Sequence, residues 1–270
     1  MADRPPHTYV FDLDGVIYRG DEPQPHASET VRELKRRGRT VFFLTNNSTR
    51  SREDYRTRLE RMDIPAELGD IMTSAYATAL YLRERGAIGQ RVYIVGEEGL
   101  AHELKAVGME VVRDGSLGDI DYVVAGMDRQ FSYDKLLEAQ RAILAGAKFI
   151  ATNRDATYPV EHRGIVPGGG AIVSAIETAS GIEPLVIGKP QTYAVEKVLE
   201  LSGSRPEDSV IVGDRLETDI LLGKRLGMHT ALVLTGISDR QAAAAAPPEM
   251  KPDRIVSDLI ELLDESWAAA

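Results

Sequence analysis

Short apolar runs alternate with amphipathic ones along this chain, and polar residues close each apolar run. Tyr9–Leu13, Thr40–Leu44, Ile71–Thr73, Ser209–Val212 and Thr230–Leu234 have the length and β-branched content of buried strands. Helical spacing predicts helices over Ala27–Arg37, closed by Gly38, over Arg52–Met62, and over Ile255–Asp264 at the end. A second set falls between these. Strands are expected at Arg91–Val95, Tyr122–Ala125 and Lys148–Ala151, with helices at Gly99–Ala106, Tyr133–Ala145 and Ile172–Ala179. Such alternation predicts parallel βαβ units, hence an α/β fold with a doubly wound, Rossmann-like parallel sheet. The middle block has the size of a domain. The expected organisation is a core of residues 1–75 and 186–270 with an α/β domain, residues 76–185, inserted into it. Ala242–Ala246 followed by Pro247-Pro248 reads as a helix end and a surface turn.

Composition narrows the chemistry. No cysteine is present, which excludes disulfides, thiol catalysis and cysteine-held zinc and fits a reducing, cytoplasmic setting. The N-terminal residues Met1–His7 form no apolar leader, and no apolar stretch approaches membrane-spanning length. A formal charge of -10 disfavours nucleic acid and anionic membranes as partners. An anionic substrate would then need local cations. The five histidines, His7, His26, His102, His162 and His229, lack metal-ligand spacing and read as surface or satisfied core residues.

Chemistry-bearing residues cluster where strands stop. The first strand ends in Asp12-Leu13-Asp14-Gly15, so two carboxylates lie on one side of a buried strand's C-terminal end. Like charges so close are costly without a cation or a shared proton, although Asp and Gly are also ordinary turn residues. Thr45 follows Val41–Leu44 and could donate to an oxyanion or simply cap a turn. Lys189 follows Val186-Ile187-Gly188, and Asp214 follows Val210–Gly213 with Asp219 five residues on. Singly, an exposed lysine is the commoner case for Lys189, and the acids could be helix N-caps. Together they have one logic: Asp12 as carboxylate nucleophile, Asp14 as general acid/base, Asp12 and Asp214 as oxygen ligands of Mg²⁺, and Thr45 and Lys189 on phosphoryl oxygens.

Asp12-Leu13-Asp14-Gly15-Val16, Thr45-Asn46-Asn47, Lys189 and Gly213-Asp214 through Asp219 resemble, in order, the four motifs of haloacid dehalogenase (HAD) superfamily phosphatases. The block between the second and third motifs, with Ala151-Thr152-Asn153, Pro167–Ala171 and Ile187–Pro190, is similar to the large α/β cap of the NagD-like, para-nitrophenyl-phosphatase-like branch. The resemblance implies a HAD core with an inserted cap, and hydrolysis of a small phosphorylated metabolite through an aspartyl-phosphate on Asp12. Candidate substrates are phosphoglycolate, glycerol phosphate, sugar phosphates, nucleotides and para-nitrophenyl phosphate. It also implies Mg²⁺ held by the Asp12 side chain, the Asp14 backbone carbonyl and Asp214, with phosphate held by Thr45, the Asn46 amide and Lys189. Asp219 would orient Lys189 or metal-bound water, and a homodimer through the cap is an arrangement the branch allows.

Arg215 stands where many members of the branch have asparagine, so the resemblance does not name the substrate. Asn153, Arg154 and Asp155, after a cap strand, are expected to read the leaving group, though Asn and Asp there could equally form a turn. Gly168–Gly170 could cradle an anion or make a tight turn before a helix. Two other readings share the acid set: a non-phosphatase HAD hydrolase such as a dehalogenase, and a receiver-like signalling module phosphorylated on Asp12. A halide leaving group needs no proton from Asp14, and receiver modules are small single domains, so both fit the sequence less well.

Overall fold

The computed structural model describes residues 5–113, 118–160 and 164–264; Met1–Arg4 and His162 lie outside them. The chain divides into two compact units, one of residues 1–45, 55–72 and 189–270, the other of residues 46–54 and 73–188. Residue 76, where the sequence reading opens its inserted domain, lies within the helix Ser74–Glu84.

The first unit is built on a six-stranded sheet, ordered Arg254–Val256, His229–Val233, Ser209–Gly213, Thr8–Asp12, Thr40–Thr45 and Ile71–Thr73. Ser209–Gly213 and Thr40–Thr45 both run parallel to Thr8–Asp12. Every residue of Thr8–Asp12 and of Ser209–Gly213 is buried, which is why both read as near-continuous apolar runs without alternation. Register does the positioning. Asp12 lies opposite Leu44, and Phe11 opposite both Phe43 and Val212. Thr45 and Asp214 are each one short step past the residues flanking Asp12, so three chemically active positions share one end of one sheet. A core of Tyr9, Phe11, Phe43, Tyr55, Leu59 and Val212, among others, fills one face.

The second unit holds a five-stranded parallel sheet, ordered Leu185–Val186, Lys148–Ala151, Tyr122–Ala125, Arg91–Val95 and Glu110–Val112. Its own core gathers Tyr93, Val123, Phe149, Val173 and Ile176. An antiparallel hairpin, Thr157–Val160 with Gly164–Pro167, is appended. Residues 46–54 join this unit for a visible reason. Arg52 donates to the buried Glu103 through its backbone N–H (3.0 Å) and Nε (3.3 Å), and its guanidinium lies 3.4 Å over the Tyr76 ring. Gly99 donates its N–H to the Thr49 carbonyl.

Several elements differ from the sequence reading. The expected terminal helix Ile255–Asp264 is a strand, Arg254–Val256, then a 3₁₀ turn, Leu259–Leu263. Ile255 and Val256 extend the sheet beside Leu232 and Val233, and Asp258 caps the turn by accepting from the Ile260 N–H, with Glu261 answering in a capping box. The helix Ser74–Glu84, capped by Thr73, and the helix Tyr193–Ser202 are additional. Leu216–Ile220 forms one π-helical turn that runs into the helix Leu221–Leu226.

The contact between Gly99 and residues 49–50 makes a test. A Cβ at Gly99 would fall 2.3–2.5 Å from the Arg50 backbone, which cannot swing aside as a side chain could. Gly99→Ala is therefore expected to destabilise the protein by about 1–3 kcal/mol. Thermal unfolding followed by circular dichroism checks this, and an unchanged midpoint would contradict the packing.

Candidate active site

At the C-terminal end of the first unit's sheet, Lys189 is buried and donates to two carboxylates: Asp12 Oδ1 at 2.6 Å and Asp219 Oδ1 at 2.7 Å. Asp219 is fully buried, and its second oxygen accepts from the Arg215 N–H (3.2 Å) and the Thr218 hydroxyl (3.4 Å). Both of its oxygens are thus occupied in holding Lys189 and the π turn. Asp214 is oriented differently. Its Oδ2 accepts from the Ile237 N–H at 2.9 Å, whereas its Oδ1 is buried and has no hydrogen-bond partner among the described residues. Oxygens of Asp12, Asp214 and Asp219 lie within 4.8 Å of one another.

The electrostatics follow from this crowding. Burial pushes the Asp12 carboxyl well above the usual carboxylate range, with Asp219 and Asp214 adding to the rise and Lys189 opposing it. Burial, reinforced by Asp219, pushes Asp214 up to about 6. Burial alone would discharge Lys189, but the Asp12 and Asp219 carboxylates outweigh it and hold the group as an ammonium. Fully ionised, three buried carboxylates against one ammonium carry uncompensated negative charge, which is why Asp12 and Asp214 hold their protons more tightly than usual. An orphaned carboxylate oxygen facing that excess fits a hard divalent cation, which prefers oxygen ligands. Asp12 and Asp214 have the means to hold one, while Asp219 is committed to Lys189.

Glycines make the crowding feasible. A Cβ on Gly213 would fall 2.1 Å from Asp219 Cβ, and one on Gly236 would fall 1.9 Å from Asp214 Oδ2. Gly15, at φ +88°, adopts a left-handed conformation that a side chain would strain. Asp14, half-buried, sits in the turn that Gly15 allows, where the Leu13 carbonyl accepts from the N–H groups of Val16, Ile17 and Tyr18. Thr45 is buried as the last residue of its strand.

The remaining predicted site residues belong to the second unit and gather there. Asn46 donates through Nδ2 to both oxygens of Asp155, each at 3.1 Å. Asn153 is buried, donates to the Asn46 carbonyl at 2.7 Å, and accepts from the Asp155 N–H, so it shapes an Asx turn. The Asn46 carbonyl also accepts from Ser74 Oγ. Arg154 pairs with Glu177 at 2.8 Å. Gly168 and Gly170 donate their N–H groups to the carbonyls of Ala156 and Asp155, so the tight-turn reading holds there and those amides are not an anion cradle. Sequence reasoning assigned no role to Thr235–Ser238, which contacts both Asp214 and Gly15. The only signal was a Thr-Gly pair closing a strand.

Two family models match this chain: haloacid dehalogenase-like hydrolase over residues 9–110 and HAD-hydrolase-like over residues 186–262. Human glycerol-3-phosphate phosphatase is 36% identical over 287 residues, covering 95% of this chain and 89% of its own. The chain belongs to the haloacid dehalogenase-like hydrolases. A 5'-nucleotidase of Bacillus subtilis is 37% identical over 233 residues, covering 86% of this chain and 89% of its own. Among solved structures, a glycerol phosphate phosphatase of Mycobacterium tuberculosis in complex with magnesium superposes with a TM-score of 0.90 at 35% identity, covering 98% of this chain and 79% of that one. The p-nitrophenyl phosphatase of Archaeoglobus fulgidus gives 0.87 at 34%, covering 94% of this chain and 97% of that one. The likeness spans both units, so this HAD hydrolase falls in the NagD-like branch with a doubly wound core and an α/β cap.

Lys189 holds the buried acids of this HAD hydrolase together. Lys189→Met should lower the stability of the metal-free protein by about 3–5 kcal/mol, because it leaves buried charge unpaired. Added Mg²⁺ should restore part of the loss. Unfolding midpoints with and without Mg²⁺ check this, and an unaltered metal-free midpoint would contradict the electrostatic account.

Proposed function

We propose that this chain is a Mg²⁺-dependent phosphatase that hydrolyses small phosphate monoesters through a covalent aspartyl-phosphate on Asp12. The observation that carries the reading is Asp12 held by Lys189 beside the orphaned oxygen of Asp214.

Asp12 attacks phosphorus, forming the new P–O bond as the bond to the leaving oxygen breaks. Asp14 protonates that oxygen, so the alcohol departs neutral. Asp14, now ionised, takes a proton from water, which attacks phosphorus and breaks the P–O bond to Asp12, releasing inorganic phosphate. Lys189 fixes the Asp12 carboxylate and offers positive charge to the phosphoryl oxygens, with Thr45 and the Asn46 amide as further donors. Asp12, Asp214 and the Asp14 carbonyl would hold Mg²⁺, which when bound offsets the charge of both carboxylates and phosphate. Asp219 keeps Lys189 in place.

Core residues meet only the phosphoryl group, which all monoesters share, so selectivity falls to the cap and to Arg154 and Asp155 within it. Asn153 frames their loop. The relatives' different named substrates support a small phosphorylated metabolite as the class, with glycerol phosphate, sugar phosphates, phosphoglycolate and nucleotides to be compared. A cytoplasmic setting is supported by the lack of cysteine, and no helix among the described residues is long and apolar enough to cross a membrane. A homodimer through the cap completes the reading.

Phosphate release from para-nitrophenyl phosphate should require Mg²⁺, stop with excess EDTA and fall by at least about a thousandfold in Asp12→Asn. Full turnover after exhaustive chelation, or Asp12→Asn within tenfold of wild type, sinks the mechanism. Across a panel of esters, Arg154→Ala should reorder kcat/KM values with little change in unfolding midpoint, whereas Asn153→Ala should lower that midpoint. A uniform drop for every ester in Arg154→Ala would remove it from substrate selection.

A further inference from the structure

The segment Thr235–Ser238 makes four contacts that the mechanism leaves unexplained. The Thr235 hydroxyl donates to the Gly15 carbonyl at 2.7 Å. The Ile237 N–H donates to Asp214 Oδ2 at 2.9 Å, and the Ser238 N–H donates to the Asp214 backbone carbonyl at 2.9 Å. The Ser238 hydroxyl accepts from the Leu216 N–H at 3.3 Å, at the head of the π turn that carries Asp219. Between these, Gly236 passes so close to the Asp214 carboxylate that no side chain fits.

Four residues therefore join two stretches of chain about 200 positions apart, the Asp12–Gly15 turn and the Asp214–Asp219 turn. The Gly15 N–H donates to the Tyr18 carbonyl at 2.8 Å. Because the Asp14–Gly15 peptide is planar and trans, that bond also sets the direction of the Asp14 carbonyl. The peptide after Gly15 is held by Thr235. Both peptide planes flanking this glycine are thus pinned, one of them from Thr235.

We infer that Thr235–Ser238 is a positioning brace that fixes the Asp14 turn and the Asp214 carboxylate at one spacing and so sets the affinity of the site for Mg²⁺. The inference rests on the Mg²⁺-dependent reading of the site. Ile237 and Ser238 occupy Oδ2 and the backbone of Asp214, which turns Oδ1 to the cation. Thr235 is the one member whose contribution to the Asp14 side runs through a side chain, so it can be removed without touching an acid. Their hydrogen bonds run to Gly15, Asp214 and Leu216, so each acts through those groups.

The test measures Mg²⁺ in two ways on wild type, Thr235→Val, Thr235→Ser and Ser238→Ala: the concentration giving half-maximal para-nitrophenyl phosphate turnover, and the rise in unfolding midpoint that Mg²⁺ produces without substrate. Losing one hydrogen bond to the Gly15 carbonyl should raise the half-saturating Mg²⁺ by about 3- to 10-fold in Thr235→Val, with kcat at saturating Mg²⁺ within about threefold of wild type. The Mg²⁺-induced rise in midpoint should shrink in parallel, and Thr235→Ser should restore both. Ser238→Ala keeps the Ser238 N–H on Asp214 but removes the acceptor of the Leu216 N–H at the brace's other end. It should likewise raise the half-saturating Mg²⁺ and shrink the midpoint rise, and it carries the test should Thr235→Val not fold. Wild-type Mg²⁺ requirement and midpoint rise in Thr235→Val, or a fall in kcat with the Mg²⁺ requirement unchanged, would overturn the brace alone. A wild-type protein that neither binds nor needs Mg²⁺ would overturn the metal reading as well.

Discussion

One buried ammonium against three buried carboxylates is the constraint around which this protein is organised. Lys189 lies between Asp12 and Asp219, and Asp214 stands close by with one oxygen unpaired among the described residues. Burying charge is expensive, and removing one partner of such a cluster is costly because it leaves the remaining buried charge uncompensated. The cluster persists because the fold dictates it: Asp12 and Asp214 close two adjacent fully buried strands, and neither can withdraw to solvent without breaking the sheet. The crowding of acids is therefore a permanent property of the folded chain. It makes Asp12 and Asp214 hold their protons more tightly, and a dication offsets the negative charge when they ionise. The arrangement resolves a conflict in the chain's overall charge. At -10 the protein repels anions globally, yet Lys189 is a cation held where an anion would react.

The surrounding structure is adapted to this crowding at the smallest scale. Gly213 and Gly236 leave no room for a Cβ against Asp219 and Asp214, and Gly15 takes a conformation that suits no side chain. Main-chain donors from Arg215 and Ile237 each occupy one carboxylate oxygen, fixing the acids in place. Preorganisation of this kind lets charge develop on a transferring phosphoryl group without rearrangement of the protein. The cap unit has its own internal logic, in which the half-buried Arg52 on the buried Glu103 and the Asn46–Asn153–Asp155 set bind distant segments to one another.

Much of this was legible in the sequence, for a physical reason. Strands buried on both faces must be continuously apolar, so a carboxylate at the end of one stands out: Asp12, Asp214 and the lysine after Val186–Gly188 could be found without coordinates. Helix Tyr133–Leu144 and strand Lys148–Ala151 could be placed from periodicity within a residue or two. What could not be read depended on tertiary partners. The run after Arg254 has enough apolar residues for a helix, and only the neighbouring strand His229–Val233 makes it a strand. The helix Ser74–Glu84 is buried nearly all round, so it lacks the amphipathic pattern that would announce it. Asn153 reads as a candidate substrate contact, but its amide is committed to the Asn46 carbonyl and the Asp155 N–H. The brace at Thr235–Ser238 could not be read in the sequence because its partners, Gly15, Asp214 and Leu216, meet it only in the fold.

The central claim is that Asp12 carries phosphate covalently. The most direct measurement is a single-turnover experiment with a ³²P-labelled monoester, quenched in acid within milliseconds, followed by peptide mapping. The account predicts transient, hydroxylamine-labile label on the peptide containing Asp12, appearing before inorganic phosphate and absent from Asp12→Asn. Phosphate released with no labelled protein at any time, or label on a different residue, would contradict it.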